Sequence, residues 1–111
     1  MAELIGWEDF CTAFPGVTRH QEGQADFLHI PTLKVVSDAQ EHSMEALLRP
    51  MQPPGCGYTT RLFLERPMPN KLQNWTQHVV LGRQWHTPSF NNVPADLPLL
   101  EILANHLASL R

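Results

Sequence analysis

The fold of this chain is best inferred outward from NWTQHVVLGRQWHTPSF, residues 74–90. Val79, Val80 and Leu81 form a short apolar run between His78 and Gly82, and such a run is typical of a buried strand. Two tryptophans and two histidines flank the run, and Pro88 precedes a serine. We therefore expect the last strand of a small core here, and the polar side chains raise the question of whether this strand also carries chemistry.

Length and composition limit the class of protein. A chain of 111 residues with 42% hydrophobic content matches one domain, residues 1–111. Eight Lys and Arg against eleven Asp and Glu give a net charge of −3, so the sequence predicts no nucleic-acid partner. No apolar stretch approaches the length of a membrane span, and the two cysteines lie in no metal-binding or secretory pattern. We expect a cytoplasmic protein with reduced thiols, no membrane contact, no metal and no cofactor.

Glycine and proline divide the first half of the chain into segments. Residues 6–14 place their aromatic side chains and Cys11 at helical spacings, which predicts a short helix. Residues 17–36 are typical of a hairpin that turns at Glu22 and Gly23, with the returning strand ending before Pro31. Residues 37–57 contain three prolines and two glycines without a clear period, so we expect a connection with at most one helical turn.

The second half adds one strand and one helix. The stretch YTTRLFLERPMP, residues 58–69, predicts a strand with Tyr58, Leu62 and Leu64 on one face and Phe63 on the other, ended by its prolines. Residues 95–111 predict an amphipathic helix capped by Asp96. Its apolar stripe comprises Leu99, Leu100, Leu103, Leu107 and Leu110. The expected fold class is α+β: an N-terminal helix, an antiparallel meander of three to four strands, a long Pro/Gly-rich loop and a C-terminal amphipathic helix.

The 74–90 segment contains possible catalytic groups. His78 and His86 are candidate bases, and Thr87 and Ser89 are candidate hydroxyl nucleophiles. A hydroxyl nucleophile needs a base that is itself oriented by a carboxylate, and no Asp or Glu lies between residues 65 and 96. The histidine spacing does not match a metal site. For each histidine alone, a hydrogen-bonding role in the core or at the surface is favoured over catalysis.

Cysteines and large aromatics have both a structural and a functional interpretation. Cys56 lies in a glycine-flanked turn without a neighbouring group that would lower its pKa, so a turn residue is favoured over a nucleophile. Trp75 and Trp85 are by default core residues at a strand end. If they are exposed together with Phe90, they form an apolar patch suited to a binding partner. The candidate binding residues are therefore Trp75, His78, Trp85, His86 and Phe90.

The string HVVLGRQWHTP, residues 78–88, followed by a loop and a Leu-rich helix, resembles the active-site segment of the ubiquitin-conjugating (UBC) superfamily. There a nucleophilic cysteine is followed about eight residues later by Trp and then by Ser/Thr-Pro and a helix. The closest likeness is to divergent prokaryotic families of that superfamily. The resemblance implies a UBC-like fold and a place in a bacterial ubiquitin-like modification system of the kind tied to antiviral defence.

The matched positions depart from the enzymes in their chemistry. The position of the nucleophilic cysteine falls on Gln77 or His78, neither of which forms a thioester, and no cysteine follows Cys56. The resemblance thus implies a noncatalytic variant that binds a ubiquitin-like protein, an activating enzyme or a catalytic sister subunit. Two alternatives stay open. One is an active transferase that uses Cys56, Thr87 or Ser89, and the other is an unrelated small protein-protein interaction module.

Overall fold

The computed structural model describes residues 4–51, 59–68, 74–90 and 93–111. Six strands form one antiparallel sheet in the order β1-β2-β3-β4-β6-β5, and two short helices accompany it. The elements are α1 (Trp7–Ala13), β1 (Thr18–Glu22), β2 (Ala25–Ser37), β3 (Gln40–Arg49), β4 (Arg61–Leu64), β5 (Trp75–Val80), β6 (Arg83–Pro88) and α2 (Leu99–Ala108).

The predicted fold class is wrong. A UBC-like α+β domain with three to four strands does not describe this chain, because the sheet has six strands and dominates the structure. The predicted long loop over residues 37–57 contains β3, which lies inside the sheet between β2 and β4. The segment 74–90, read as one strand, is a hairpin of two. Both helices and the β1–β2 hairpin are confirmed.

Strand β3 was missed because its sequence is helix-like in composition and its turn is unusual. Met44, Ala46 and Leu48 alternate toward one face of the sheet, and Leu47 points to the other. The turn before β3 is made by Asp38 (φ 51°) and Ala39 (φ 63°), a pair of left-handed residues as in a type I′ turn. Alanine there replaces the glycine that normally marks such a hairpin in a sequence.

Strand β2 continues through Pro31, where the sequence predicted its end. The pairing of β2 with β3 shifts register between Ile30 and Leu33, and Pro31 lies in that irregularity. A proline at a bulge removes no ladder hydrogen bond, so the strand passes through it and reaches Ser37.

Both helices pack on one face of the sheet. The main core joins Phe10 of α1 and Leu99, Ile102 and Leu103 of α2 to inward residues of β2, β3 and β4. Helix α2 differs from prediction at its start: Pro98 occupies the N-cap without a side-chain hydrogen bond. The amide of Leu99 instead donates to the carbonyl of Ile5 at 2.9 Å.

The apolar stripe of α2 is partly as predicted. Leu99, Leu103 and Leu110 are buried, whereas Leu100 is exposed. His106 takes a buried position in the stripe, with its Nε2 2.8 Å from Thr60 Oγ1. The Thr60 hydroxyl donates to the carbonyl of Val93 at 3.0 Å, so the imidazole supplies the proton for the Thr60 contact. Burial lowers the pKa of His106 to about 4.

We predict that His106 makes the stability of the domain pH-dependent. Between pH 6.5 and 4 the unfolded chain binds a proton at His106 that the folded chain excludes, so the free energy of unfolding falls as pH falls through this window. Urea unfolding measures the free energy of unfolding of each protein at pH 7 and at pH 5. The decrease from pH 7 to pH 5 should be about 2 kcal/mol larger for the wild type than for His106→Gln. Equal losses in the two proteins would contradict this assignment.

We also predict that Ala39→Gly stabilises the domain. Glycine adopts the positive φ of this turn without the steric cost that a Cβ brings, so the free energy of unfolding should rise by about 0.5–1 kcal/mol. The matched control is Ala104→Gly on the exposed side of α2, which should cost about 1 kcal/mol. Destabilisation by both substitutions would show that residue 39 does not hold a left-handed conformation.

Candidate functional site

The β5–β6 hairpin determines where each candidate side chain points. Its two-residue turn, Leu81 (φ 53°) and Gly82 (φ 74°), has the left-handed pair of a type I′ turn. Opposite residues include His78 with Trp85 and Gln77 with His86. Because side chains alternate along a strand, His78 and Trp85 share one face of the sheet and Gln77 and His86 share the other.

The five candidate binding residues do not form one patch. Trp75 and Phe90 pack against the main core on the helix side of the sheet, and the Phe90 ring lies 5.8 Å from that of His106. Trp85 is 2% exposed and belongs to a second core on the opposite face. The predicted buried run also splits, since Val80 is buried whereas Val79 is 74% exposed.

The second core lies on the face of the sheet away from the helices, which we call the helix-free face. It contains Phe27, Leu47, Phe63, Val80 and Trp85, each at most 6% exposed. Both carboxylate oxygens of Glu22, at the end of β1, accept a hydrogen bond from the Leu81 amide at 3.2 Å. The first strand thus meets the turn of the last hairpin, and this curvature of the sheet shelters the second core.

An open cleft of about 360 Å³ lies where these two ends of the sheet approach each other. Arg83 covers Trp85, with its guanidinium carbon 4.4 Å from the ring centroid, and the His29 ring packs edge-on at 6.3 Å. The indole N–H is already used, since it donates to the Val80 carbonyl. The cleft is lined by His20, His29, Leu47, Leu81, Arg83 and Trp85.

Glu45 holds the polar rim of this cleft. Its carboxylate contacts Arg83 Nη1 and lies 3.3 Å from His29 Nε2. The hydrogen bond from Arg83, and then that from His29, lowers the pKa of Glu45 below its ordinary value. The charge of Arg83 is therefore matched within the protein by that of Glu45.

His78 lies on the same face near two arginines. Its Nε2 is 3.0 Å from Thr76 Oγ1, and its ring packs edge-on to Phe63 at 5.9 Å. Burial lowers the pKa of His78, and the charges of Arg61 and Arg49 lower it further. His78 is therefore neutral at pH 7.

The candidate nucleophiles are not arranged for attack. Thr87 is fully buried, its hydroxyl donates to the Leu62 carbonyl at 2.8 Å, and it accepts a hydrogen bond from Arg61 Nε at 3.1 Å. Ser89 is exposed beyond the end of β6, and its amide donates to the Asn74 carbonyl. Cys56 lies outside the described residues. The hydroxyl proton of Thr87 is thus engaged by a carbonyl rather than by a histidine.

The outer edge of β5 is open. Val80 and Arg83 flank a two-residue turn and form a hydrogen-bonded pair, so bonded pairs recur at His78–Trp85 and Thr76–Thr87. The next bonded pair would be Asn74–Ser89, and the Ser89 amide indeed bonds the Asn74 carbonyl at 2.8 Å. The intervening residues, Trp75, Gln77 and Val79, direct their N–H and C=O groups outward. In the described sheet no strand lies beyond β5.

The opposite edge of the sheet is protected by charge and proline. It consists of β1 and of the part of β2 that extends beyond β1. By the same alternation its outward residues include Arg19 and Lys34, and Pro31 interrupts it. Strand β5 carries no Asp, Glu, Lys, Arg or Pro. Natural sheets use charges, prolines and bulges to prevent edge pairing, so the two edges differ in the feature that controls association.

Metal-binding clusters and membrane-spanning helices are both absent from the described part of the chain. No three His, Cys, Asp or Glu side chains there lie close enough together to hold a metal ion. No helix in the same residues is long and apolar enough to cross a membrane.

Comparison with known proteins assigns no family. No family model matches the chain, and neither the curated proteins nor the solved structures yield a significant match. The relationship of this chain to the UBC superfamily therefore stays a prediction. The fold implied by that resemblance is wrong, because the described strands form a six-stranded sheet.

Sequence reasoning missed the residues that shape the site. Glu22 was assigned only to a turn, and Glu45 and Arg83 were not singled out. Glu22 bonds the Leu81 amide, and Glu45 joins β3 to Arg83 of β6 on the helix-free face. The signal for the hairpin was present in Leu81-Gly82, flanked by alternating residues, but leucine is rare at a left-handed position. Glu45 gave no local signal, because its partners are distant in sequence.

We predict that Arg83 shields Trp85 from solvent. In a Trp7→Phe/Trp75→Phe background Trp85 is the one remaining tryptophan, so selective excitation of tryptophan reports on it. Arg83→Ala should increase quenching of this fluorescence by acrylamide, because the guanidinium no longer covers the ring. Arg66→Ala is the matched control, since the exposed Arg66 pairs only with its neighbour Glu65 among the described contacts. Unchanged quenching in Arg83→Ala would contradict the stacked arrangement.

Proposed function

We propose that this protein is a protein-interaction module that adds an extended segment of another polypeptide to the free edge of β5. The observation that carries the proposal is the combination of three outward backbone positions with a strand that contains no charge or proline. Main-chain hydrogen bonds supply affinity in such strand addition, and alternate side chains supply specificity.

The side chains along β5 suit this role. Val79 is the most exposed of the large hydrophobic residues described, at 74%, and it lies on the same face as Gln77 and Trp75. A partner strand would cover Val79 on one face and Thr76 and His78 on the other. Burial of exposed apolar area is favourable by about 25 cal/mol per Å², so covering Val79 adds to the main-chain contribution.

This proposal corresponds to the interaction-module alternative from the sequence. Thr87 has its hydroxyl proton bonded to a carbonyl, which gives no support to the transferase alternative at that residue. The partner set implied by the UBC resemblance, a ubiquitin-like protein, an activating enzyme or a sister subunit, remains a prediction, and the module proposed here does not depend on it.

The backbone direction of β5 predicts a contrast between two proline substitutions. Gln77→Pro removes an outward N–H and should cost about 1 kcal/mol or less of the free energy of unfolding, because no ladder bond is lost. His78→Pro removes an inward N–H paired with Trp85 and should cost about 3 kcal/mol or more. Urea denaturation measures the loss of free energy of unfolding in each variant. Equal losses would mean that Gln77 does not direct its backbone groups to the open edge of β5.

Selection of displayed random peptides tests strand addition itself. Peptides selected on the wild type should lose binding to Gln77→Pro and to Val79→Lys, because the first blocks the central backbone position and the second charges the edge. Val36→Lys places the same charge on the opposite edge and should leave binding unchanged. Peptides that bind all variants equally, or a selection that yields none, would refute the proposal.

A further inference from the structure

The three outward backbone positions of β5 are symmetric about Gln77, so this edge can pair with a second copy of itself. We infer that the segment added to β5 is β5 of a second copy of this chain, paired antiparallel about a two-fold axis at Gln77. This inference rests on the proposed function, because it names the occupant of the same edge.

The register follows from the outward backbone positions. In an antiparallel pair, residues that exchange both hydrogen bonds must each direct N–H and C=O toward the other strand. With the axis at Gln77, this residue faces its own copy, and Trp75 of each chain faces Val79 of the other. A shift by two residues in either direction leaves one of the three outward positions without its counterpart in β5. The two-fold register is therefore the one that uses all of them.

The side chains favour the same register. Val79 is 74% exposed in the single chain, and Trp75 is half-buried against the main core. The two-fold pairing sets each Val79 beside Trp75 of the second copy, an aromatic and β-branched pair that stabilises neighbouring strands. Each exposed valine then continues the main core of the other chain, so the pairing extends an apolar surface that already exists.

Electrostatics also permit self-pairing at this edge. The strand has no Asp, Glu, Lys or Arg, so two copies bring no permanently charged side chains together. On the helix-free face each His78 stands opposite Thr76 of the other chain, and the two histidines lie on a diagonal rather than face to face. The opposite edge is less suited to self-pairing, because Pro31 interrupts it and its outward residues Arg19 and Lys34 are held in ion pairs with Asp26 and Glu41.

Analytical ultracentrifugation of the full chain tests the inference. The wild type should dimerise, and Val79→Lys and Gln77→Pro should each weaken the dimer about tenfold or more. Val36→Lys, the same substitution on the opposite edge, should dimerise like the wild type. Circular dichroism confirms that each variant is folded, and the use of two different variants separates loss of pairing from loss of fold.

Cysteine cross-linking tests the register. In a Cys11→Ser/Cys56→Ser background, Gln77→Cys places two thiols opposite each other with Cα atoms about 5.5 Å apart, within the range of a disulfide. Oxidation should yield a covalent dimer from Gln77→Cys and not from Val36→Cys. Failure of Gln77→Cys to cross-link while the wild type dimerises would overturn the two-fold register.

The result also separates this inference from the proposed function. A wild type that stays monomeric at about 1 mM overturns the second copy as partner, while edge-dependent peptides would still support strand addition. A dimer that is insensitive to Val79→Lys and Gln77→Pro uses another surface and overturns the inference. Loss of both the dimer and the selected peptides in the same two variants supports both proposals.

Discussion

Placement of both helices on one face of the sheet is the constraint on which the rest of the structure depends. The main core is covered by α1 and α2, but neither of these two described helices covers the second core of Phe27, Leu47, Phe63, Val80 and Trp85. A flat sheet would expose these side chains to water. The sheet instead curves until Glu22 bonds the Leu81 amide, and polar side chains, with Glu45 and Arg83 among them, close over the aromatic rings.

The same curvature produces the cleft beside Trp85 and leaves β5 at the border of the sheet. In a closed barrel β1 would pair with β5 along its length. In the described sheet β1 does not pair with β5, and Glu22 at its end bonds the turn between β5 and β6. The curvature of the sheet therefore both protects the second core from solvent and leaves the outer edge of β5 unpaired in the described sheet. The geometry of the hairpin then determines which three residues direct their backbone groups away from the sheet.

Much of the secondary structure was predictable from local pattern, and the topology was not. The helices and the β1–β2 hairpin have strong signals: apolar residues at helical spacing, and a glycine at the turn. Strand β3 and the β5–β6 hairpin were misread because Ala39 and Leu81 occupy left-handed positions that sequences usually mark with Gly or Asn. The candidates Trp85 and His78 do share a face, but Trp75, His86 and Phe90 lie on the other. That division depends on a register that a single misplaced turn reverses.

The order of the last strands has a consequence for how the chain is assembled. Strand β5 precedes β6 in sequence but lies outside it, so a chain that emerges from the ribosome makes the outer strand before the strand that joins it to β4. In the described sheet β5 pairs with β6 alone, so the hairpin is joined to β4 through β6, by the Leu64–His86 pair and the hydroxyl of Thr87. The outer strand is thus held to the rest of the sheet by a strand that follows it in the sequence.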